Sequence, residues 1–391
     1  MNSRKHSHPW FKETFGFEEC SYNETKQHFK LSSDGTELTS LRNNRKFHVG
    51  LFEVLSHKDL HARKLKLKDD AGKIDNAGID LGGLSFSNIS GSVESFIKNI
   101  DNEGSVFQAA SQFNCLEMVG PGVRPEDGIT RYKFDRTQGP ACALACPAGT
   151  LYRNYFVNKG RGQAAPGNQI NTLDIVEEIL GDTNHSTKGA VYWHVKNGYC
   201  MPLNNSSMSA LNERLGKDAT LAQKIHDNLK IGVHWDTEVE KQPKWKRCKN
   251  GGKWVSEVDS ETLKHNVCQV YVSACPVAYT KSTRSKDWEP FASLILKSCY
   301  ESTLEVANIL ALKRGKRVKV FLTQVGGGAF GNRSLWILRA IESALKKFEE
   351  APLDVYLVHY GTIPPGRYQK LEIKKQKKSE MKEESKVHGN E

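Results

Sequence analysis

No apolar run in this sequence of 391 residues approaches the roughly 20 residues that a membrane-spanning helix needs. The first residues, MNSRKHSHPWFKE, also lack the apolar segment of a secretory signal. Both absences argue against a membrane partner and against export. They predict a protein of an intracellular compartment, cytoplasmic or nuclear.

The chain also lacks the cysteine pattern of a disulfide scaffold or a zinc module. Its nine cysteines are odd in number and irregularly spaced, which favours reduced thiols. Cys142 and Cys146 lie four residues apart in a predicted helix, but no second Cys/His pair completes a metal site. We expect both to pack in the core. The sequence therefore implies neither a metal nor a cofactor.

Charge and composition indicate a globular protein with anionic partners. Hydrophobic residues make up 38% of the chain and charged residues 26%, and the formal net charge is +11. A basic balance favours nucleotides, nucleic acids or acidic surfaces as partners.

Predicted strands alternate with predicted helices from about residue 100 to residue 361. This alternation predicts a three-layer α/β/α sandwich with a mixed, mostly parallel sheet. We divide the chain into an N-terminal extension (1–86), a main domain (87–363) and a flexible Lys/Glu-rich tail (364–391). Insertions in the main domain are expected near 119–138, 157–187 and 241–260.

The segment VFLTQVGGGAFGN, residues 320–332, ends a predicted strand in three consecutive glycines. Backbone N–H groups at such a junction, followed by a helix N-terminus, suit a phosphate or diphosphate. The segment has no Lys-Ser/Thr of a P-loop and no GxGxxG followed by an acid, so neither of those nucleotide sites is predicted. A tight turn kept for structural reasons is the alternative.

Two further segments place small or polar residues at strand ends or helix starts. TQGPACALACPAG enters a predicted helix, and GSVFQAASQFN carries Gln108, Ser111 and Asn114 where a strand becomes a loop. Ligands of α/β folds bind at the carboxyl ends of parallel strands. The three loops together predict one cleft for a ligand with a diphosphate and hydroxyl groups.

Five segments in order resemble the macrodomain family, the ADP-ribose-binding fold, over roughly residues 88–361. They are ISGSVESF with EGSVFQAAS, QGPACALACPAGTLYRNY, GAVYWHVKNGYCMPL, LKSCYESTLEVAN, and VFLTQVGGGAFGN with the helix and strand that follow it. The resemblance implies that this chain binds ADP-ribose or an ADP-ribosylated macromolecule.

The resemblance also implies a role for individual residues. The glycine loop would wrap the diphosphate, with Phe330 near the distal ribose, and Ser92 matches an adenine-contacting position. The implied ligand-binding set is Ser92, Gln108, Ser111, Asn114, Gly139, Pro140, Ala141, Gly326, Gly327, Gly328, Ala329, Phe330, Gly331 and Asn332. Three departures bear on this set: Ser92 is not the family's Asp, Ser111 replaces its second Asn, and Ala141 stands where some hydrolytic members carry an acid.

Glu117 in NCLEM is the candidate catalytic acid or base, because it follows the ribose-facing strand end between two apolar residues. A structural acid paired with an arginine is the alternative. Asp127 and Asp135 are the next carboxyl candidates, and Cys115 is a candidate nucleophile without an evident histidine partner. His194 and His234 lie in predicted strands and are expected to be core residues or histidines with satisfied hydrogen bonds.

A predicted hairpin, residues 241–254, combines basic and aromatic residues that could contact RNA, DNA or poly(ADP-ribose). A solvated hairpin tip is the alternative.

Three functions therefore stay open: an ADP-ribosyl hydrolase, a non-catalytic reader of ADP-ribose, and a nucleic-acid-binding protein. The sequence does not fix the oligomeric state.

Overall fold

The computed structural model describes residues 9–72, 81–165, 167–181, 191–204, 206–240, 244–247, 254–257, 264–280 and 283–373. These residues form strands β1 Phe29–Leu31, β2 Glu37–Ser40, β3 Lys46–His48, β4 Phe52–Ser56, β5 Ser85–Ser90, β6 Val106–Ala110, β7 Trp193–Lys196, β8 Tyr199–Pro202, β9 Lys230–Glu238, β10 Lys244–Arg247, β11 Trp254–Glu257, β12 Asn266–Val272, β13 Val318–Leu322 and β14 Leu353–His359.

The helices are α1 Trp10–Phe15, α2 Tyr22–Gln27, α3 His57–Gly72, α4 Val93–Lys98, α5 Gln138–Ala145, α6 Pro147–Tyr155, α7 Val157–Gly160, α8 Asp174–Leu180, α9 Ser207–Lys217, α10 Ala219–Asn228, α11 Ser285–Arg314 and α12 Ser334–Lys347. None of the described helices is both long and apolar enough to cross a membrane.

A central sheet of seven strands has the order β4-β9-β12-β6-β13-β14-β5. The five strands from β12 to β5 are mutually parallel, whereas β9 is antiparallel to both of its neighbours. The central strands β6 and β13 have mostly apolar sequences because they are buried on both faces of the sheet. The predicted mixed, mostly parallel sheet is confirmed.

Helices cover both faces of this sheet. On one face α11 packs against α3, α9, α10 and α12 over the largest apolar core. On the other face α4 and α5 lie against the sheet, where the rings of Phe107 and Phe321 stack with centroids 4.4 Å apart. The predicted three-layer α/β/α sandwich is therefore confirmed. A third core joins α1 and the small β1–β3 sheet to α6.

Two predicted local features are confirmed. The helix over residues 138–155 breaks at Pro147, where α5 ends and α6 begins, because proline lacks the N–H that a continuous helix requires. The Asn-Gly turn between β7 and β8 places Asn197 at φ 48° and Gly198 at φ 81°, the left-handed conformations of a two-residue hairpin turn.

The predicted outer boundaries need correction. Strand β4, inside the predicted 1–86 extension, is an edge strand of the central sheet, so a boundary near residue 86 cuts through that sheet. The predicted tail also begins too early, because Tyr368 is fully buried and Ile373 bridges to Phe86 at the opposite edge. The sequence composition could not predict either contact with the sheet, since neither segment has a long apolar run. Residues 374–391 lie outside the described residues.

Candidate functional site

A cavity of about 400 Å³ opens at the carboxyl ends of β6, β12, β13 and β14. This volume lies within the range of small-molecule sites. Its wall includes the start of α5, the loop after β13 and aromatic residues from β8 and from the loop after β12. The lining residues are Ala110, Ser111, Gln112, Glu117, Met118, Val119, Asp135, Arg136, Thr137, Gln138, Gly139, Pro140, Tyr199, Ala274, Tyr279, Thr323, Gln324, Val325, Gly326, Gly327, Gly328, Ala329, Phe330, Val358 and Tyr360.

The three glycines after β13 are required for different physical reasons. Gly326 has φ +73°, and a Cβ there would lie 2.5 Å from Cβ of Ala274, so both conformation and space require glycine. A Cβ at Gly327 would meet Cδ1 of Ile337 at 3.0 Å. A Cβ at Gly328 would meet nothing within 4 Å, and its φ is not in the left-handed region. The last glycine therefore keeps the cavity open rather than permitting the turn.

The same loop offers backbone donors. Within the described part of the chain, the N–H groups of Gly328, Ala329 and Phe330 have no protein acceptor at hydrogen-bond distance. The loop is held from behind, because the Asn332 N–H donates to the Gly326 carbonyl at 2.9 Å. A fixed turn with available N–H groups suits an anion.

The start of α5 forms the facing wall. Thr137 makes no side-chain cap, Pro140 has no N–H, and the Ala141 N–H donates to the Thr137 carbonyl at 3.3 Å, so the donors at this start are the N–H groups of Gln138 and Gly139. Gly139 brings this start against the end of β6, since a Cβ there would lie 1.9 Å from the Ala110 carbonyl oxygen. Two groups of backbone donors, one from the loop and one from a helix start, thus line one cavity.

Three aromatic rings close one end of the cavity. Phe330 lies 5.4 Å from both Tyr199 and Tyr279, centroid to centroid, and the two tyrosine rings are 5.2 Å apart. The Tyr199 hydroxyl donates to the Met118 carbonyl at 2.6 Å, which ties β8 to the loop after β6. At another part of the wall Tyr360 is 72% exposed. Such rings can pack on a sugar or a base.

Glu117 lies in the wall as half of a buried ion pair. Its two carboxylate oxygens accept from Nη2 of Arg153 at 3.0 and 2.9 Å, and Ser111 Oγ donates to one of them at 3.1 Å. Arg153 also donates through Nε to the Cys115 carbonyl at 2.8 Å and lies 3.7 Å from the ring centroid of Tyr271. The Glu117 and Arg153 side chains are both fully buried.

Two influences on the Glu117 carboxyl act in opposite directions. Burial raises the pKa of Glu117, and the charge and hydrogen bonds of Arg153 lower it. Burial prevails, so the pKa of Glu117 lies above its ordinary value, which is the direction that favours a general acid. Only 1% of the residue is exposed, so the carboxyl would reach a ligand only at the inner wall.

The structure places only part of the predicted ligand-binding set at the cavity. Ser111, Gly139 and Pro140 line it, as do Gly326, Gly327, Gly328, Ala329 and Phe330. The others are not among the lining residues: Ser92, which precedes α4, and Gln108, Asn114, Ala141, Gly331 and Asn332.

The amide side chains of this second group have structural partners. Gln108 Nε2 donates to Thr303 Oγ1 of α11 at 2.9 Å, Asn114 Nδ2 donates to Gln169 Oε1 at 3.3 Å, and Asn332 Nδ2 donates to the Cys275 carbonyl at 2.8 Å. All three are buried, and each amide joins two segments of the chain. Their partners explain these residues without a ligand.

The remaining candidate acids, histidines and cysteines differ in their burial and in whether they line the cavity. Asp135 lines the cavity and accepts from the Thr137 N–H at 2.8 Å, whereas Asp127 accepts from the Arg124 N–H and does not line the cavity. His234 is fully buried, as predicted for a core residue, and His194 in β7 is half-buried. Cys142 and Cys146 are also fully buried, which confirms the predicted core packing.

Cys115 has the properties of an unreactive thiol. It is buried, it does not line the cavity, and burial raises its pKa to about 12. Only the thiolate is an efficient nucleophile. We therefore expect iodoacetamide at pH 8 to alkylate Cys20, which is half-buried, and to leave Cys115 unmodified in the folded protein. Peptide mass spectrometry checks this, and equal labelling of both residues without unfolding would contradict it.

Several lining residues were not identified from the sequence. Tyr199 lies in the segment GAVYWHVKNGYCMPL that carried part of the resemblance, and the Gly-Tyr pair was the available signal. Tyr279, Gln112 and Arg136 had no comparable motif. Arg153 could not be identified from the sequence as the partner of Glu117, because 36 residues separate them.

Comparison with known proteins gives structural neighbours but no family. No family model matches the chain, and no curated protein matches it. Similar solved structures include a mutant poly(ADP-ribose) glycohydrolase from Deinococcus radiodurans in complex with ADP-ribose, at 9% identity and a TM-score of 0.40, covering 82% of this chain and 95% of that chain. Others are the poly(ADP-ribose) glycohydrolase from Thermomonospora curvata, and the same enzyme bound to the inhibitor ADP-HPD. Each of these two has 10% identity and a TM-score of 0.39, covering 88% of this chain and 91% of that chain.

Proposed function

We propose that this protein binds ADP-ribose, or a related nucleotide diphosphate, in the cavity at the strand ends and hydrolyses ADP-ribosyl linkages of modified macromolecules. The observation that carries the proposal is the pair of facing backbone donor groups. Gly328, Ala329 and Phe330 present N–H groups on one side, and the uncapped start of α5 lies on the other. A diphosphate matches two such groups in charge and in acceptor number.

The remaining wall suits the sugar end of this ligand. Phe330 with Tyr199 offers ring faces to the distal ribose, and Ser111 and Glu117 lie at the end of β6. In the proposed reaction, water attacks the anomeric carbon of that ribose and the bond to the leaving oxygen breaks. Glu117 gives its proton to the leaving group, and the proton released by water restores the acid.

A non-catalytic reader of ADP-ribose is the second candidate, and the Glu117–Arg153 pair favours it. A carboxylate with both oxygens bound by one buried guanidinium can serve stability alone. The reader would use the same diphosphate contacts and would lack turnover.

Calorimetric titration with ADP-ribose, followed by incubation with ADP-ribosylated protein, tests the proposal. We expect binding at one site per chain and release of free ADP-ribose from the modified substrate. ADP is a comparison ligand, because it keeps the diphosphate and removes the distal ribose. Binding without release would favour the reader, and the absence of any binding would exclude both candidates.

The basic hairpin provides a separate prediction for polymeric ligands. Strands β10 and β11 pair antiparallel as predicted, and residues 248–253 between them lie outside the described residues. Replacing Lys244, Lys246, Arg247 and Lys249 with Gln should weaken binding of poly(ADP-ribose) or RNA and flatten its salt dependence, since fewer counterions are released. Affinity for free ADP-ribose should stay the same. Filter binding over a salt series measures this, and an unchanged slope would remove the hairpin from the binding surface.

A further inference from the structure

Four helices of one layer meet at a buried polar cluster outside the cavity. We call it the two-histidine cluster: His57 at the start of α3, His226 of α10 and Glu301 of α11, with Lys347 at the end of α12. The two histidines are each 4% exposed and Glu301 is 2% exposed. One nitrogen of each imidazole and one Glu301 oxygen lie within 4.8 Å of one another. None of these residues lines the cavity.

The ammonium group of Lys347 lies among these donors. Its Nζ is 3.0 Å from Nε2 of His57 and 2.6 Å from Oε2 of Glu301, and Nε2 of His226 is 2.9 Å from the same oxygen. An ammonium can only donate, so Nε2 of His57 accepts and presents its lone pair towards the cluster. A cationic group therefore already stands where the lone pairs of His57 and Glu301 converge.

The second nitrogen of each imidazole and the second oxygen of Glu301 have hydrogen-bond partners, as the side chains that bind metals in proteins usually do. Nδ1 of His57 lies 3.2 Å from Ser302 Oγ, and Nδ1 of His226 lies 3.0 Å from a carboxylate oxygen of Asp227. Ser343 Oγ donates to the second oxygen of Glu301 at 3.2 Å. Such partners fix the tautomer and the ring orientation of a metal-binding histidine.

Lys347 is the one member of the cluster that can leave at low cost. Its side chain is 42% exposed, whereas that of Glu301 is 2% exposed. It is the last residue of α12, so the flexible stem can turn towards solvent. Its departure would leave Nε2 of His57, Nε2 of His226 and one Glu301 oxygen around the position that the ammonium group now occupies.

We propose that His57, His226 and Glu301 bind a Zn²⁺ ion in place of the Lys347 ammonium group. Two histidines and one carboxylate, with water in the fourth position, form a common tetrahedral zinc set. The ion would join α3, α10 and α11, which come from distant parts of the chain. It therefore adds stability to the helical layer and takes no part in the chemistry of the cavity.

The experiment titrates Zn²⁺ into the full chain after dialysis against a chelator. We expect one Zn²⁺ per chain at this cluster, by competition with a chromogenic chelator, and a higher Tm with Zn²⁺ than without it. The background variant is His28→Ala, because Cys20, Glu24 and His28 form the other group of potential ligands among the described residues. Absence of binding to this background, or binding without any change in Tm, would overturn the proposal.

Two partly exposed positions make the test specific. Lys347→Ala should increase the affinity for Zn²⁺ about tenfold or more, because it removes a competing positive charge next to the ligands. Asp227→Asn should lower the affinity about 10- to 100-fold, as loss of an outer carboxylate does at zinc sites. Binding that is no tighter in Lys347→Ala, or unchanged when His226 is replaced by Gln, would show that the ion binds elsewhere.

Discussion

The substitution Gly328→Glu is expected to abolish measurable binding of ADP-ribose. A Cβ at this position meets nothing within 4 Å, so we expect the fold to accept the substitution, and because Gly328 lines the cavity we expect the carboxylate to lie beside the available N–H groups. A carboxylate there opposes a diphosphate, and such like-charge contacts cost several kcal/mol, so affinity should fall at least about 100-fold. Titration calorimetry measures the loss, and an unchanged Tm shows that the protein is folded.

Gly216→Glu is the matched control. This residue lies in α9, does not line the cavity, and also leaves open space for a Cβ. It makes the same change of charge and should leave ADP-ribose affinity unaltered. Gly327 is a poorer choice, because a Cβ there meets Ile337 at 3.0 Å and the variant would perturb packing as well. Normal binding by Gly328→Glu would mean that the loop is only a structural turn.

The substitution Glu117→Gln is expected to lower turnover by about two to four orders of magnitude, as loss of a general acid does. It keeps the shape of the side chain and removes the titratable proton. It also leaves Arg153 charged and buried without its partner, which should lower the free energy of unfolding by about 3–5 kcal/mol. Binding of ADP-ribose should persist below the new Tm, because the N–H groups that we propose to hold the diphosphate belong to other residues.

Asp135→Asn is the control for the carboxyl, since Asp135 is the second acid that lines the cavity and, unlike Glu117, it forms no ion pair with an arginine of the described residues. Release of ADP-ribose from modified protein should continue in this variant. Loss of turnover in Asp135→Asn, with Glu117→Gln still active, would assign the acid to Asp135. Full activity in both would make Glu117 a structural partner of Arg153.

The features that the sequence predicted are local in the chain. The apolar run before Gly326 was predicted as a strand and the glycines as its loop, because a short run that contains β-branched residues and ends in glycines favours a strand over a helix. The break at Pro147 and the Asn197–Gly198 turn follow from the chemistry of single residues. The sheet could be predicted as mostly parallel because strands and helices alternate.

The features that the sequence did not predict depend on which way a side chain points and on distant partners. Gln108 was assigned to the ligand, but it faces Thr303 of α11, and neighbouring strand residues point to opposite faces. Arg153 and Tyr279 reach Glu117 and Phe330 only after the chain has folded. The two-histidine cluster follows no motif or regular spacing in the sequence, because its members come from four helices.

The strand order also determines when this chain can fold during its synthesis. Strand β5 is at one edge of the sheet, and its neighbour in the strand order is β14, so the contact between Ser85 and Asp354 can form only after the 269 residues that separate them have been synthesised. Strand β6 likewise cannot pair until β12 and β13 have been synthesised. The ribosome releases the chain from the N-terminus, and non-local strand pairing is slow. Most of the parallel sheet therefore forms only after nearly the whole domain has emerged.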